Sequence, residues 1–217
     1  MEPQFWHDRW ELQQIGFHQP EINPLLVKHW SALHVNAGQV FVPLCGKTLD
    51  MHYFAQQGLQ VLGNEFNATA VEQFFAESDL TPTITSAGEL SQYQADNYQL
   101  LLGDFFALTP AMLADCTAFY DRGALVALPE AMRQRYAQHL SKIVPTGCKG
   151  LAVLLDYPQE QLAGPAFAVS LAWLTEHLGG AFEIEQIASY DVLAENGKFV
   201  KNGVSWLNEN VFVLTRK

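Results

Sequence analysis

The sequence predicts an α/β protein: a doubly wound, mostly parallel sheet of seven strands with an antiparallel edge strand and a helical N-terminal cover. Three observations predict it. Short continuous apolar runs, several bounded by glycine, read as strands buried on both faces. Helical patterns separate most of these runs, and strands alternating with helices imply right-handed crossovers. The last two runs need no helix between them, which predicts the antiparallel edge.

The elements follow in order. Residues 1–38 are helical before any strand, first "FWHDRWELQQIGF" and then "INPLLVKHWSAL". "QVFVPL" (39–44) is the first strand, between Gly38 and Gly46. "TLDMHYFAQQG" reads as a helix, with Thr48 as N-cap, Asp50 in the first turn and Gly58 closing the end. "LQVLGNE" (59–65) is the second strand. "NATAVEQFFAES" places Asn67 as a cap and Val71, Phe74 and Phe75 on one helical face. Residues 80–97 read as a turn-rich, irregular segment over the carboxyl edge of the sheet. "YQLLLGD" (98–104) and "AFYDRGALVAL" (118–128) hold strands, and "PEAMRQRYAQHLSKIV" (129–144) is a helix with Pro129 near its start. "GLAVLLDY" (150–157) is a strand, and 166–180 a helix ending in glycine. "AFEIEQIAS" (181–189) and "NVFVLTRK" (210–217) are the closing strands. The expected organisation is one domain over 1–217, a helical lid at 1–38 on a core at 39–217.

Bulk properties narrow the partners. The chain has 217 residues, 49% hydrophobic, with a net charge of −11 and a pI near 4.9. A long polyanion or an anionic membrane surface would be repelled, so no nucleic acid and no membrane partner is expected. The start "MEPQFWHDRW" has no basic segment followed by an apolar run, which predicts no signal peptide. Cys45, Cys116 and Cys148 are odd in number and widely spread, which makes neither a disulfide framework nor a zinc pattern. The histidines of "HWSALH" (29–34) lack the spacing for a joint metal site, and no metal is expected. The expectation is a cytoplasmic monomer.

The segment "VPLCGKT" (42–48) ends like a phosphate-binding P-loop. The glycine that motif requires six positions earlier than Lys47 is Phe41, and Pro43 removes an N–H donor. The dinucleotide fingerprint Gly-x-Gly-x-x-Gly is also absent, with only Gly46 near the turn. What remains is a strand, a tight turn at Gly46, a helix and a second strand ending in Glu65, nineteen positions on. A carboxylate there can accept both hydroxyls of a ribose. A ribose ligand with no required phosphate points to S-adenosylmethionine; on spacing alone, an ordinary turn and a solvated strand end remain open.

"VFVPLCGKTLDM", "VLGNEFNATAVEQFF", "YDRGALVAL" and the opening "FWHDRWELQQIGFHQPEINPLL" resemble the thiopurine S-methyltransferases, especially their bacterial branch. The resemblance runs from Phe5 to about Tyr157 and returns weakly at the C-terminus; "PLCGK" and "DRGAL" together are its specific part. It implies the class I methyltransferase fold, a Rossmann-like sheet that binds S-adenosylmethionine. It also implies methyl transfer to the thiol or thiolate of aromatic and heterocyclic acceptors such as thiopurines. Bacterial relatives are associated with selenium and tellurium species, so a metalloid or another soft nucleophile is an alternative acceptor. A non-catalytic binder of the cofactor is the rival from a different class.

The resemblance implies roles residue by residue. Glu65 holds the ribose hydroxyls, and Leu44 and Gly46 let the loop pass close to the methionine part. Trp10 is a cofactor contact and Phe17 a substrate contact, although periodicity alone also reads Trp6, Trp10 and Phe17 as a core-facing stripe. Asp104 and Phe105 neighbour the adenine, or cap the next segment. Arg122 is a cofactor-contacting arginine; Asp121 and Arg122 end the fourth strand and orient the reactants, with a buried structural pair as the bland reading. Cys45 reads as small packing. Among the seven histidines no general base stands out. A basic residue that some relatives carry before the last strand has no clear counterpart here, where Asn202 stands near Lys198 and Lys201.

Overall fold

A computed structural model describes residues 3–12, 14–15 and 18–217; for Pro3, Gln4 and Phe5 it describes the helical backbone alone. The chain runs α1 (Pro3–Glu11), α2 (Pro24–His29), β1 (Gln39–Val42), α3 (Asp50–Gln56), β2 (Gln60–Glu65), α4 (Ala68–Glu77), β3 (Thr83–Ala87), β4 (Leu90–Ala95) and β5 (Tyr98–Leu102). It continues through β6 (Cys116–Asp121), α5 (Ala124–Ala127), α6 (Glu130–Ile143), β7 (Lys149–Asp156), α7 (Leu171–Leu178), β8 (Phe182–Asp191), α8 (Gly197–Lys201) and β9 (Asn208–Arg216).

One sheet holds every strand, in the order β3-β4-β5-β2-β1-β6-β7-β9-β8. The block β5-β2-β1-β6-β7 is parallel throughout. Its strands alternate as a sheet covered on both faces must. In β1, Phe41 turns to a layer with Tyr136, Leu140, Leu174 and Leu178, contributed by α6 and α7. Val40 and Val42 turn to the opposite layer, with Leu26, Met51, Phe54 and Phe74 from α2, α3 and α4. Chain order reverses between β1 and β6, so the crevice for ligands falls outside the carboxyl ends of these two strands.

Three expectations are corrected. The sheet has nine strands, not seven. The segment expected to be irregular forms the hairpin β3–β4, antiparallel to β5. Gly88, at φ +64°, takes the first place of its two-residue turn, as a type II′ turn requires. Second, the closing pair β8–β9 makes the expected antiparallel edge, but the strand reversed against the parallel block is β9, which lies between β7 and the rim strand β8. Burial explains the order. β9 buries Asn210, Val211, Phe212 and Leu214, whereas β8 exposes Glu183 and Glu185, charges suited to a rim. The short helix α8 also intervenes before β9. The strand within 118–128 ends at Asp121, as expected, and the Asp121 Oδ1 accepts the N–H groups of Ala124 (3.1 Å) and Leu125 (3.2 Å) and so starts α5. Third, the helix expected over 166–180 begins only at Leu171, where the Ser170 hydroxyl accepts the Trp173 N–H at 3.2 Å. Upstream, the N–H groups of Phe167 and Val169 bond to the carbonyls of Val126 and Leu155.

No helix among the described residues is long and apolar enough to cross a membrane. The N-terminal cover closes the carboxyl edge of the sheet: His7 Nδ1 meets Asn67 Nδ2 at 3.0 Å, its ring stands edge-on to Phe66, and Trp10 is buried.

The β6–β7 contact gives a direct test of packing. Gly150 pairs with Phe119, and a Cβ at 150 would stand 2.1 Å from a carbon of that ring. Gly150→Ala is expected to lower the unfolding free energy by about 1–3 kcal/mol, read as an earlier urea midpoint at unchanged slope; an unchanged midpoint would show that the ring yields freely.

Candidate active site

The loop after β1 turns through two left-handed residues, Leu44 at φ +45° and Gly46 at φ +53°. For a leucine that conformation costs about 1–3 kcal/mol and persists only where the surroundings enforce it. Here hydrogen bonds enforce it. The Cys45 N–H donates to the Asn64 carbonyl at 2.9 Å, and the Gly46 N–H to Glu65 Oε2 at 2.8 Å. Glu65 Oε1 accepts the N–H groups of Phe66 (2.8 Å) and Asn67 (2.9 Å). The carboxylate is 4% exposed; burial pushes its pKa up and the three N–H donors hold it down. Asn67 goes on to cap α4, accepting the Ala70 N–H at 3.3 Å. Trp10 lies over the turn, so that a Cβ on Gly46 would meet its ring at 3.4 Å. Cys45 is a free, buried thiol whose pKa burial raises.

The lysine of the P-loop-like tail turns away from the crevice. Lys47 is 9% exposed and its Nζ sits 2.6 Å from Glu77 Oε1 on α4. The Thr48 hydroxyl accepts the Asp50 N–H at 3.3 Å. No cradle of bare N–H groups with a lysine above it exists in this loop.

Asp121 and Arg122, neighbours in sequence, point to opposite faces. Asp121 is 1% exposed and lies in the layer of Tyr136, whose hydroxyl donates to its Oδ2 at 2.7 Å. Burial raises its pKa to about 6. Arg122 turns the other way and its Nε donates to Asp50 Oδ2 at 3.2 Å. Asp50 Oδ1 accepts the Asn23 N–H at 2.7 Å, which ties α2 to the same carboxylate. A cavity of about 40 Å³ opens here, lined by Val42, Leu44, Thr48, Asp50, Tyr120 and Arg122. The buried Tyr120 hydroxyl lies beside the Asp50 carboxylate, which adds to burial in raising its pKa, and makes no hydrogen bond of full geometry among the described residues.

Asp104 is exposed beyond the end of β5 and its Oδ1 accepts the Phe106 N–H at 3.0 Å, capping a 3₁₀ turn. The preceding Gly103 donates its N–H to the Glu65 carbonyl at 2.9 Å, which sets Asp104 beside the tip of β2. Phe105 is buried and stacks on Tyr136, centroids 4.6 Å apart. The geometry therefore brings Trp10, Leu44, Gly46, Glu65, Asp104 and Arg122 to one edge of the sheet, and sends Asp121 and Phe105 into the layer behind it. Phe17 lies outside the described residues.

Four residues at this edge escaped the sequence reading. Tyr120 was open to it, because period-two alternation puts it on the face of Arg122. Asp50 stood there only as a first-turn acid. His18 lies over the loop, its pKa lowered by burial and then by Lys47, with Glu77, Arg122 and Asp50 also acting on it. Glu209 on β9 is half-buried near Arg122; burial raises its pKa, and the guanidinium opposes that shift. No short-range signal marks either residue.

Comparison with known proteins is consistent with this geometry. The family model described as Thiopurine S-methyltransferase (TPMT) matches residues 1–217. The thiopurine S-methyltransferase of Shewanella baltica is 54% identical over 218 residues, covering 100% of both chains. Among solved structures, a SAM-dependent methyltransferase from Methanosarcina mazei superposes with a TM-score of 0.61 at 11% identity, covering 90% of this chain and 98% of its own. The phosphoethanolamine N-methyltransferase 2 of Haemonchus contortus, solved with S-adenosylhomocysteine, superposes at 0.61 with 10% identity, covering 88% of this chain and 52% of its own. At those identities the structural likeness speaks for the fold.

The buried Asp121 makes stability depend on pH. Its carboxyl binds a proton more tightly folded, at about 6, than at its ordinary 3.8. The stabilisation is therefore complete below about 3.8 and is lost as pH rises through about 6, roughly 3 kcal/mol for roughly two units. Asp121→Asn, which keeps an oxygen for the Ala124 and Leu125 N–H groups, is expected to remove that component. Urea unfolding from pH 4 to 7 should show the wild type losing stability relative to the variant; a constant difference would contradict the assignment.

Proposed function

The chain belongs to the thiopurine S-methyltransferase family and is a methyltransferase, and we propose that it moves a methyl group from S-adenosylmethionine to the sulfur of an aromatic or heterocyclic thiol by in-line displacement. The observation that carries this reading is the Glu65 clamp at the tips of β1 and β2. A carboxylate offers about four lone-pair sites. Backbone N–H groups engage three of them, which leaves acceptor capacity at the strand tip for a ribose hydroxyl.

The other residues fit the same cofactor. Trp10 stands over Gly46, and an aromatic face there suits a sulfonium. Leu44 and Gly46 bend the loop so that its backbone borders the cavity. Arg122 commits its Nε to Asp50, while its terminal N–H groups have no hydrogen-bond partner among the described residues. Those groups suit the carboxylate of the methionine part or an anionic acceptor. Asp104 supports the adenine end from beside Glu65, with Phe105 bracing its loop from behind. Asp121 serves as scaffold, holding α5 and Tyr136 while Arg122 orients the reactants. Phe17 is reserved for the acceptor side.

The bound cofactor supplies an electrophilic methyl group on a positive sulfur. The protein's part is to hold the acceptor sulfur in line with that methyl group, worth roughly 7 kcal/mol or more. The cover formed by α1 and α2 excludes water from a step in which opposite charges cancel. A heterocyclic thiol that is substantially ionised near neutral pH needs little further activation.

Glu65→Gln replaces one acceptor oxygen by a donor that faces backbone N–H groups. It is expected to weaken S-adenosylhomocysteine binding about ten- to a hundredfold by isothermal titration, in line with the loss of one or two charge-assisted hydrogen bonds. ATP with magnesium should give no heat with either protein. Unchanged affinity in the variant would remove the ribose assignment, and heat with ATP would restore the phosphate reading of the loop.

A further inference from the structure

Glu209 is the second residue of β9, opposite Leu155 of β7 and Tyr190 of β8. It shares a strand face with Val211 and Val213, which pack in the layer of Tyr120. Its side chain therefore leaves the sheet on the side of Tyr120 and Arg122, away from Asp121. It is half-buried, and no hydrogen bond to its carboxylate occurs among the described residues. The charged and titratable groups around it come from four elements: Arg122 and Tyr120 from β6, Asp50 from α3 at the guanidinium, Glu195 beyond β8, and Tyr190 within β8, whose hydroxyl meets His29 Nε2 at 2.9 Å.

The other candidates for a proton acceptor at this edge are occupied or opposed. Asp50 has bonds on both oxygens, to Asn23 and Arg122. Asp121 has bonds on both oxygens inside the core. Cys45 is a buried thiol beside the Glu65 carboxylate, which raises its pKa further. His18 is held below its ordinary pKa first by burial and then by Lys47 and Arg122, with Glu77 and Asp50 pulling the other way. Glu209 alone among these is a carboxylate without an internal hydrogen bond, on the sheet face of Tyr120 and acted on by the Arg122 guanidinium.

We propose that Glu209 is the base for the methyl acceptor, taking the proton of the acceptor's S–H, or of its ring N–H in a thione tautomer, as the acceptor sulfur takes the methyl group. The inference rests on the methyltransferase reading of the site and deepens it. The S–H bond breaks with its proton passing to a Glu209 oxygen and its electron pair remaining on sulfur. That pair forms the new bond to the methyl group, and the pair of the broken bond stays with the donor's sulfur, which becomes neutral. Glu209 then returns its proton to water. Burial brings the carboxyl closer to the working pH than an exposed glutamate, the direction a base requires. The consequence is chemical range: a protein with such a base can methylate thiols that are not ionised on their own.

The test is Glu209→Gln, assayed with two acceptors between pH about 6 and 8. One is an aliphatic thiol that ionises near pH ~8.5, as a cysteine does. The other is a heterocyclic thiol already ionised across that range. With the aliphatic thiol, wild-type kcat/KM should stay nearly flat, whereas the variant should rise about tenfold per pH unit and fall about a hundredfold or more below wild type at pH 6. With the ionised thiol the two proteins should differ by less than about threefold. S-adenosylhomocysteine affinity by calorimetry should agree within about twofold. A carbon-13 titration of labelled glutamate carboxyls should lose one late-titrating signal in the variant. Parallel pH profiles with the aliphatic thiol, in proteins that both bind the product, would overturn the role of Glu209 alone. A wild type that binds no product and methylates neither thiol would overturn the reading of the whole site, and this proposal with it.

Discussion

The desolvated carboxylate of Glu65 is the constraint on which the active edge depends. Taking an ionised carboxylate out of water is costly unless donors replace the lost hydration. Three backbone N–H groups replace it, one from the loop after β1 and two from the start of α4. The same bonds hold Leu44 and Gly46 in left-handed conformations and align Asn67 to cap α4 and meet His7 of α1. Loop, strand tip, helix start and cover are thus fixed through one side chain. A lysine reaching into this turn would compete for that carboxylate; Lys47 is instead held by Glu77.

A second division runs through Tyr120, Asp121 and Arg122. Three consecutive residues at the end of β6 serve two separate systems because strand side chains alternate. Asp121 joins Tyr136 and the first turn of α5 in one layer. Tyr120 and Arg122 face the other layer, where Asp50 binds both the guanidinium and the start of α2. The half bonded into the core supports the half that faces the crevice.

The parallel block and its crevice were legible in the sequence because their strands are buried on both faces and their helices carry ordinary caps at Asn67, Pro129 and Gly58. The hairpin β3–β4 was not, since its outer residues Thr83, Ile84, Thr85 and Ser86 are all exposed and carry no apolar alternation. The place of β9 was hidden for a different reason: insertion between β7 and β8 is decided by which strand can bury its faces, a property of the assembled layers. Glu65 and Gly46 could be read from spacing in a single βαβ unit. His18 and Glu209 could not, because they come to Arg122 from opposite ends of the chain. Asp121 and Arg122 looked like a pair by adjacency, and only the pleat separates them.

The two rims of the sheet differ in how they meet other molecules. β8 presents Glu183 and Glu185, whereas β3 presents Thr83, Thr85, Ser86 and an Ile84 that is 58% exposed, with no charge among its five residues. An uncharged rim with open backbone donors and acceptors is a template for strand addition by another copy. The net charge of −11 opposes such an approach, a long-range repulsion that salt shortens to roughly 8 Å at physiological ionic strength. Added salt therefore weakens the one general repulsion at a rim where the β3 side chains carry no charge to replace it.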